Sequence, residues 1–518
     1  MRERETKSKY STEKQIAINL FFSVVAFALN LCISFFVTPY ITRQFGAEAY
    51  GFVKLADDFT GYAALLFTAL NSMASRFIML EKERGNSEQA QKYFSSITLA
   101  NVVLSAIMTV PSAICVGYLE CFLEIPPELV AEVKLTFAVT FAVFIMNFLF
   151  ATYGNCYYLT NKLSIGSIRE SLVTILRATC VITLFIFTKP RISYLAICTF
   201  ISMVFSNGYN CFFTRKLTPE FRFRIADFEW KKLWEVLSAG IWNSISRLSQ
   251  IFTTGLDLLL TNTMVSSLMM GYLSIAKSIP LLVLNFCSAI GNVFVPNQMI
   301  LYARNDMEAL KRAIKNATRI MCLIMSIPNA ILITMGEAFF QLWVPEAPAR
   351  LINTLAVLSI ISTCVTGPAQ TICPIFTITN RIKENSIVSI VQGFLGLLIS
   401  YTCLRFTDWG VFAIVCVSLT GTVIVTLFYH VPYAAKYIGL PKHTFFPEIG
   451  ISLVANAIVC AVGFGVRWVV PVASSWVMWF SGACLTGILG LAINTVLFFS
   501  KEERSALLQT VMTRIKKT

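Results

Sequence analysis

Six polar residues recur at alternating steps of four and three between Val236 and Thr261. That spacing places them on one face of an α-helix. The segment holds about 26 residues, most of them apolar, which is long enough to cross a bilayer core with some tilt. Because an arginine or aspartate facing lipid is costly, the face is expected to point into a bundle interior or a watery cavity. The six residues are Asn243, Arg247, Gln250, Thr254, Asp257 and Thr261.

Other ionisable residues lie in or beside apolar stretches, namely Asp57, Asp58, Arg76, Arg177 and Lys277. Intramembrane charges either line a substrate pathway or pair with one another, and both interpretations stay open here. In the first, the cations and amides form a cavity for a charged, water-loving cargo. In the second, the charges compensate each other and lock helices together or act as a gate. The predicted boundaries place Arg76 and Arg177 nearer the inner ends of their spans, where Arg76 either contacts a headgroup or snorkels to the interface.

The composition predicts a membrane protein. Hydrophobic residues make up 56% of the 518, charged residues only 14%, and the mean hydropathy is +0.69. Soluble domains carry roughly 25% charged residues. The 15 cysteines lie mostly inside apolar runs and form no CxxC pair, and two histidines are too few for a histidine-based metal site. Neither a metal nor another cofactor is predicted.

Apolar runs of spanning length predict about fourteen transmembrane helices. With the N-terminus cytosolic, Lys and Arg are concentrated in the tails and alternate connections, which follows the positive-inside rule and places the net charge of +14 on the inner side. This distribution favours contact with anionic membrane lipids and argues against nucleic acid as a partner. The predicted spans are 15–38, 50–73, 94–118, 132–157, 170–188, 191–213, 236–261, 267–295, 317–343, 351–377, 386–405, 409–430, 447–470 and 473–499. The segments 302–316 and 501–517 have one apolar face and are read either as helices on the membrane surface or as solvated basic segments.

The chain also repeats itself. Gly51–Ala56 matches Gly271–Ala276, 220 residues later, and Pro111 in the third span matches Pro328. Six spans separate the copies, so they run in the same direction, as in transporters whose two bundles rock around a central site. The repeat places Asp57 of the first half opposite Lys277 of the second. The predicted order is a cytosolic N-terminus (1–14), an N-lobe (15–213), a linker (214–235), a C-lobe (236–430), a cytosolic loop (431–446), two further spans (447–499) and a cytosolic amphipathic tail (500–518).

Enzyme signatures are missing from the sequence. It contains no GxxxxGK[ST], GxGxxG, GxSxG or HExxH pattern, and the acids of the predicted outer loop Leu119–Ala131 are scattered. The sequence therefore offers no catalytic residues and predicts a protein that is not an enzyme. A membrane enzyme that polymerises or modifies a glycan is the alternative from another class.

The residues from Pro39 to Gly51 (PYITRQFGAEAYG) and from Asn71 to Phe77 (NSMASRF) resemble the polysaccharide-transporter branch of the MOP exporter superfamily, the Wzx-type flippases. The resemblance implies an all-α polytopic fold with two six-helix lobes, as in MATE and other MOP proteins, plus two C-terminal helices. It implies a multi-pass protein of the bacterial cytoplasmic membrane with both termini cytosolic. The implied function is to flip an undecaprenyl-pyrophosphate-linked oligosaccharide by alternating access, and the implied protein partners are polysaccharide-assembly proteins. A MATE-like, cation-coupled exporter of small molecules is the alternative within the superfamily.

In this reading the polar residues divide into two groups. Asp257, Asp57 and Asp58 are candidates for coupling to H+ or Na+, or for a gate. The substrate cavity would be lined by Arg247, Lys277, Asn243, Gln250, Thr254, Arg76 and Arg177.

Overall fold

The computed structural model describes the backbone of residues 2–160, 162–188 and 190–498. Side chains are described from Phe35 to Phe498, except at positions 161, 163, 164, 189, 254 and 296. Within these ranges the fold is helical throughout and contains no strand. Twelve helical segments of the described part are long and apolar enough to cross a membrane. The all-α, multi-pass architecture expected from the composition is therefore confirmed.

The two predicted spans that are not among these twelve have different explanations. The span 15–38 lies mostly outside the residues whose side chains are described. The span 236–261 is polar and is broken into pieces near its middle. The count of fourteen therefore stays a prediction. The predicted break near Pro190, between the fifth and sixth spans, coincides with a helix boundary in the structure.

Packing divides the chain into two compact units, Met1–Gly271 and Tyr272–Thr518. The predicted division into lobes, linker and tail remains a prediction. Helices of the first unit are α1 (Arg2–Asn71), α2 (Ala74–Glu83), α3 (Ser87–Gly117), α4 (Leu119–Phe122), α5 (Val130–Leu149), α6 (Cys156–Leu159), α7 (Leu163–Phe187), α8 (Tyr194–Leu217), α9 (Trp230–Gln250) and α10 (Asp257–Met264). Helix α11 (Ser267–Ala303) begins in the first unit and continues in the second.

The remaining helices belong to the second unit. They are α12 (Met307–Trp343), α13 (Ala349–Ile361), α14 (Thr363–Ala369), α15 (Pro374–Ile378), α16 (Ile382–Phe406), α17 (Val411–Val425), α18 (Val431–Tyr437), α19 (Phe446–Val469) and α20 (Trp476–Phe498). The segment 302–316 is not a separate surface helix, because it contains the end of α11, a short turn and the first turns of α12. The segment 501–517 lies outside the described residues.

Helix α1 contains two helical segments joined at a kink. At Gly46 the backbone has φ 84° and ψ 167°, a conformation that is open to glycine and strained for other residues. Helix α1 packs against α5, α7 and α9. A close approach fixes the contact with α9, because a Cβ on Gly240 would lie 1.8 Å from the carbonyl oxygen of Ala69. Helix α9 is thereby held backbone to backbone against α1.

The connection 214–235 is tied to other parts of the first unit. Phe221 is buried in an apolar cluster with Leu70, Phe94 and Leu233. The Lys92 ammonium lies 2.9 Å from a Glu229 carboxyl oxygen and holds the pKa of that carboxyl below its ordinary value. The start of α9 is thus positioned by contacts on both sides of the connection.

Buried polar contacts join the two C-terminal helices to α12 in the second unit. The Asn329 amide donates to Asn456 Oδ1 at 3.1 Å. The Glu448 carboxylate is 1% exposed and lies 3.2 Å from Lys315 Nζ. A Cβ on Gly463 would lie 2.6 Å from Thr334 Oγ1, so α19 approaches α12 closely. The pair α19–α20 is therefore an integral part of this unit.

Candidate functional site

The helix that carries the polar face is interrupted in the middle of that face. After α9 ends at Gln250, residues Ile251–Gly255 form a π-helical segment, and α10 begins at Asp257. A π-segment closes its hydrogen bonds at i→i+5 and is frequently found at functional sites. Its extra residue per turn rotates everything that follows relative to an ideal α-helix. The expectation of one continuous α-helical face is therefore wrong.

The interruption separates the predicted residues into two environments. Arg247 and Gln250, before the π-segment, are exposed, and Arg247 Nη1 donates to Gln250 Oε1 at 3.1 Å. Asp257 and Thr261, after it, are 7% and 0% exposed. The side chain of Thr254, inside the π-segment, is outside the described residues. The arginine and its neighbouring amide can therefore meet a solute, whereas the aspartate is enclosed by protein.

The second half of α1 lies against this break. The Tyr62 hydroxyl donates to the carbonyl oxygen of Gly255, which belongs to the π-segment. Asp58 and Asp257 are both close enough to the Tyr62 ring to interact with it electrostatically. Arg247 reaches toward the same helix, since a Cβ on Gly61 would lie 3.7 Å from Arg247 Nη2. The π-segment and two aspartates thus meet around Tyr62, and Arg247 lies near the neighbouring Gly61.

Further along the same contact, the amide of Asn243 donates to Ser72 Oγ at 3.0 Å. Ser244 donates to the carbonyl oxygen of Leu65 at 3.0 Å. These bonds fix α9 beside α1 over several turns. Asn243 is half-buried, so it is partly engaged in holding the two helices together.

A second group of charges lines a cavity within the first unit. Lys54 Nζ lies 3.9 Å from Asp57 Oδ2, and Arg177 lines the same cavity. Helix α7 begins at Leu163 rather than at 170, so Arg177 lies near its middle, ten residues before Phe187. The depth of Arg177 in the membrane stays a prediction. Asp57 and Arg177 are thus brought together, although nothing in the spacing of the sequence relates them.

The remaining predicted residues lie elsewhere. Arg76 is exposed on α2, close to the inner connection that the sequence predicts. Lys277 is half-buried in α11 and belongs to the second unit, whereas Asp57 belongs to the first. The proposed pairing of these two residues therefore stays a prediction.

Sequence reasoning missed Tyr62, Lys54 and the π-segment. Tyr62 follows Asp58 by four residues, so a helical-wheel plot of 54–62 would have placed Lys54, Asp58 and Tyr62 on neighbouring positions. The π-segment has no comparable signal, since its sequence IFTTG resembles that of an ordinary apolar helix. A glycine at its end and a polar residue soon after are the only local hints.

Comparison with known proteins adds the family. The model of the family described as "Polysaccharide biosynthesis protein" matches residues 16–297, more than half of the chain. A relative from Bacillus subtilis (strain 168), the "Uncharacterized membrane protein EpsK", is 25% identical over 507 residues, which are 97% of this chain and 99% of the relative. That relative's length and this chain's length therefore correspond almost completely.

Solved structures show the fold. The structure titled "Lipid II flippase MurJ, inward closed conformation" is 16% identical, with a TM-score of 0.69 over 92% of this chain and 98% of that one. An inward-facing multidrug resistance MATE family transporter of the MOP superfamily is 15% identical, with a TM-score of 0.61 over 82% of this chain and 98% of that one. The resemblance found in the motifs is thus confirmed at the level of the whole molecule. This chain belongs to the polysaccharide biosynthesis protein family and has the fold of the MOP superfamily of membrane transporters.

Proposed function

We propose that this protein moves an undecaprenyl-pyrophosphate-linked oligosaccharide from the cytosolic to the outer leaflet of the bacterial cytoplasmic membrane, for surface polysaccharide synthesis. One observation carries the proposal. An exposed arginine and amide, Arg247 and Gln250, lie beside the π-helical break that follows α9, in a chain whose family is that of polysaccharide biosynthesis proteins.

The physical problem of such a transport step matches this arrangement. The head of the substrate carries a pyrophosphate and sugars, and its polar groups would lose their water partners in hydrocarbon at a cost of several kcal/mol each. A protein pathway must replace those partners with its own charges, amides and hydroxyls. The long apolar tail needs no such replacement and can stay in the lipid.

The side chains divide into two sets of roles. Arg247 and Lys277 hold the pyrophosphate, because guanidinium and ammonium groups form strong charge-assisted hydrogen bonds with phosphate oxygens. Gln250, Asn243 and Thr254 supply hydrogen-bonding groups to the sugars. Arg76, on the inner connection, contacts the substrate headgroup before the headgroup enters the transport pathway.

The buried aspartate has a different role. Asp257 is 7% exposed and lies next to the broken helix, where a proton or sodium ion can interact with its carboxylate and with freed backbone carbonyls. We assign coupling to H+ or Na+ to Asp257, with Asp58 close to the same tyrosine as its partner across the contact. Both termini are cytosolic in this scheme, and polysaccharide-assembly proteins are the expected neighbours in the membrane.

Two substitutions test the cationic pathway in cells. Arg247→Ala and Lys277→Ala should each lower the amount of surface polysaccharide by about tenfold or more, because each removes a charged hydrogen-bonding partner worth about 1.5–3 kcal/mol. The control is Arg84→Ala, which removes an exposed arginine of the inner connection. Unchanged export in both variants, at equal amounts of folded protein in the membrane, would show that the pathway does not use these cations.

A glycan polymerase or modifying enzyme is separated from a transporter by the product. Purified protein incubated with labelled lipid-linked oligosaccharide should leave its mass unchanged. A longer or chemically altered glycan would contradict the transport proposal.

A further inference from the structure

The first unit contains a cavity that the pathway along α9 does not use. It has a volume of about 320 Å³ and lies among α1, α5, α7 and α8. Pockets that bind small ligands start at roughly 300 Å³, so the space suits one or two sugar residues rather than a whole oligosaccharide. Its lining includes Lys54, Asp57, Arg177, Asn147 and five threonines.

The charges that line the cavity do not cancel, because Asp58, which also interacts with Lys54, is not among the lining residues. Lys54 and Arg177 contribute two positive charges and Asp57 one negative charge, which leaves a net charge of +1 among these three residues. All three interact electrostatically with one another. The side chains of Lys54 and Asp57 are 42% and 61% exposed, although both lie within a helix of spanning length. A charge cluster that only locks helices together would be enclosed, so this one faces an accessible space.

Three of the five threonine hydroxyls around the charges are oriented in the same way. Thr60, Thr136 and Thr199 donate their hydroxyl hydrogens to backbone carbonyls of their own helices, at 2.7–2.8 Å. A hydroxyl whose hydrogen is engaged in this way presents its oxygen as an acceptor. The wall therefore accepts hydrogen bonds from a ligand that carries several O–H groups, as a sugar does.

Net charge decides which anion fits. A pyrophosphate diester carries about two negative charges, so binding it would leave these three residues and the ligand with a net charge of about −1. A single carboxylate balances the net charge of +1 and matches the planar fork of the Arg177 guanidinium. We propose that this cavity binds a carboxylated sugar, a hexuronic acid residue of the transported glycan. The proposal rests on the proposed function, because it names a chemical feature of the same substrate.

Thermal unfolding of the purified full-length protein in detergent tests the proposal with free glucuronate as the probe. Glucuronate should raise the melting temperature in a saturable manner, because a ligand that binds only the folded state stabilises it. Glucose at the same concentration should have no effect, since it lacks the carboxylate. Equal stabilisation by glucose would overturn the assignment.

Variants locate the binding site. Arg177→Gln and Lys54→Gln should each weaken the apparent affinity for glucuronate by about tenfold or more, because each removes a charged partner of the carboxylate. Arg84→Gln, an exposed arginine of the inner connection, should bind glucuronate as the wild type does. If Arg177→Gln does not unfold cooperatively, the half-exposed Lys54→Gln variant carries the test. Unchanged affinity in a folded Lys54→Gln variant would overturn the proposal.

The two proposals fail in different ways. If the protein transports a lipid-linked glycan but does not respond to glucuronate, the proposed binding of a carboxylated sugar is wrong and the flippase proposal stands. If the protein binds glucuronate but transports no lipid-linked glycan, the flippase proposal is wrong and the cavity is still a binding site for an acidic sugar.

Discussion

Tyr62 connects the residues of the candidate site more directly than any of the charges do. Its hydroxyl donates to the carbonyl of Gly255, and its ring lies within electrostatic reach of Asp58 and Asp257. A π-segment changes the hydrogen bonding of its backbone carbonyls compared with an α-helix, and the tyrosine hydroxyl donates a hydrogen bond to one of them. The tyrosine is therefore a positioning residue that holds the break of the helix against α1.

Replacing Tyr62 tests this role. Tyr62→Phe keeps the ring and removes the donor, so we expect it to lower the free energy of unfolding by about 1 kcal/mol. Chemical or thermal unfolding in detergent measures the loss. Tyr118→Phe, an exposed tyrosine near the end of α3, is the matched control. Equal stability of Tyr62→Phe and the control variant would mean that the hydroxyl does not hold the break.

Glu448 gives a second prediction at this scale. Its carboxylate is 1% exposed, and Lys315 and Arg319 lie within 3.2 and 3.8 Å. Because the two cations are about a third exposed and solvent screens them, Glu448→Gln should cost about 1–3 kcal/mol, less than a fully buried pair would. The control is Glu308→Gln. The Glu308 carboxylate is 72% exposed and pairs with Lys311 of the same helix, so its loss should change the free energy of unfolding little. Similar unfolding curves for both variants would show that the buried contact contributes nothing.

At the scale of elements, the break between α9 and α10 changes the chemistry of the polar face. A continuous helix would have placed Arg247 and Asp257 on the same side, about 15 Å apart along its axis. The π-segment instead leaves Arg247 exposed and encloses Asp257. Separate environments permit separate roles, with one residue meeting a solute and the other responding to a small ion.

The contact between α9 and α1 can be tested through its glycine. Gly240→Ala places a Cβ 1.8 Å from the Ala69 carbonyl oxygen, so the helices must separate, at a cost of about 1–3 kcal/mol. The control is Gly208→Ala in α8, where no atom lies within 4 Å and a stability equal to or above the wild type is expected. Both are read from thermal unfolding in detergent. An unchanged melting temperature for Gly240→Ala would contradict the close contact.

Element types could be predicted well and their interruptions could not. Apolar runs located the long helices because length and hydropathy alone determine which segments can cross a bilayer. The π-segment at Ile251–Gly255 depends instead on what packs against it, and Tyr62 is 193 residues away in the chain. The cavity around Lys54 and Arg177 also comes from tertiary packing, which no periodicity along one helix reveals.

For the whole molecule, the sequence predicted a membrane transporter of this superfamily from two short motifs and a repeat. The family match and the fold of the solved relatives confirm that reading. The prolines of the repeat, Pro111 and Pro328, both lie inside long helices, as expected.

The orientation of the chain can be measured with a native cysteine. Cys121 is exposed in the connection Leu119–Ala131, which the charge bias places outside the cell. A membrane-impermeant maleimide added to intact cells should label the protein, and Cys121→Ser should lose that label. Labelling of Cys121 only after the membrane is permeabilised would invert the predicted topology.

Transbilayer movement in a reconstituted system tests the central claim most directly. Purified protein in liposomes should move a labelled undecaprenyl-pyrophosphate-linked oligosaccharide, so that a glycosidase added outside reaches glycan that began in the inner leaflet. The account predicts protein-dependent movement that Arg247→Ala slows by about tenfold or more. Movement no faster than in protein-free liposomes, with correctly folded protein and an intact glycan, would contradict it.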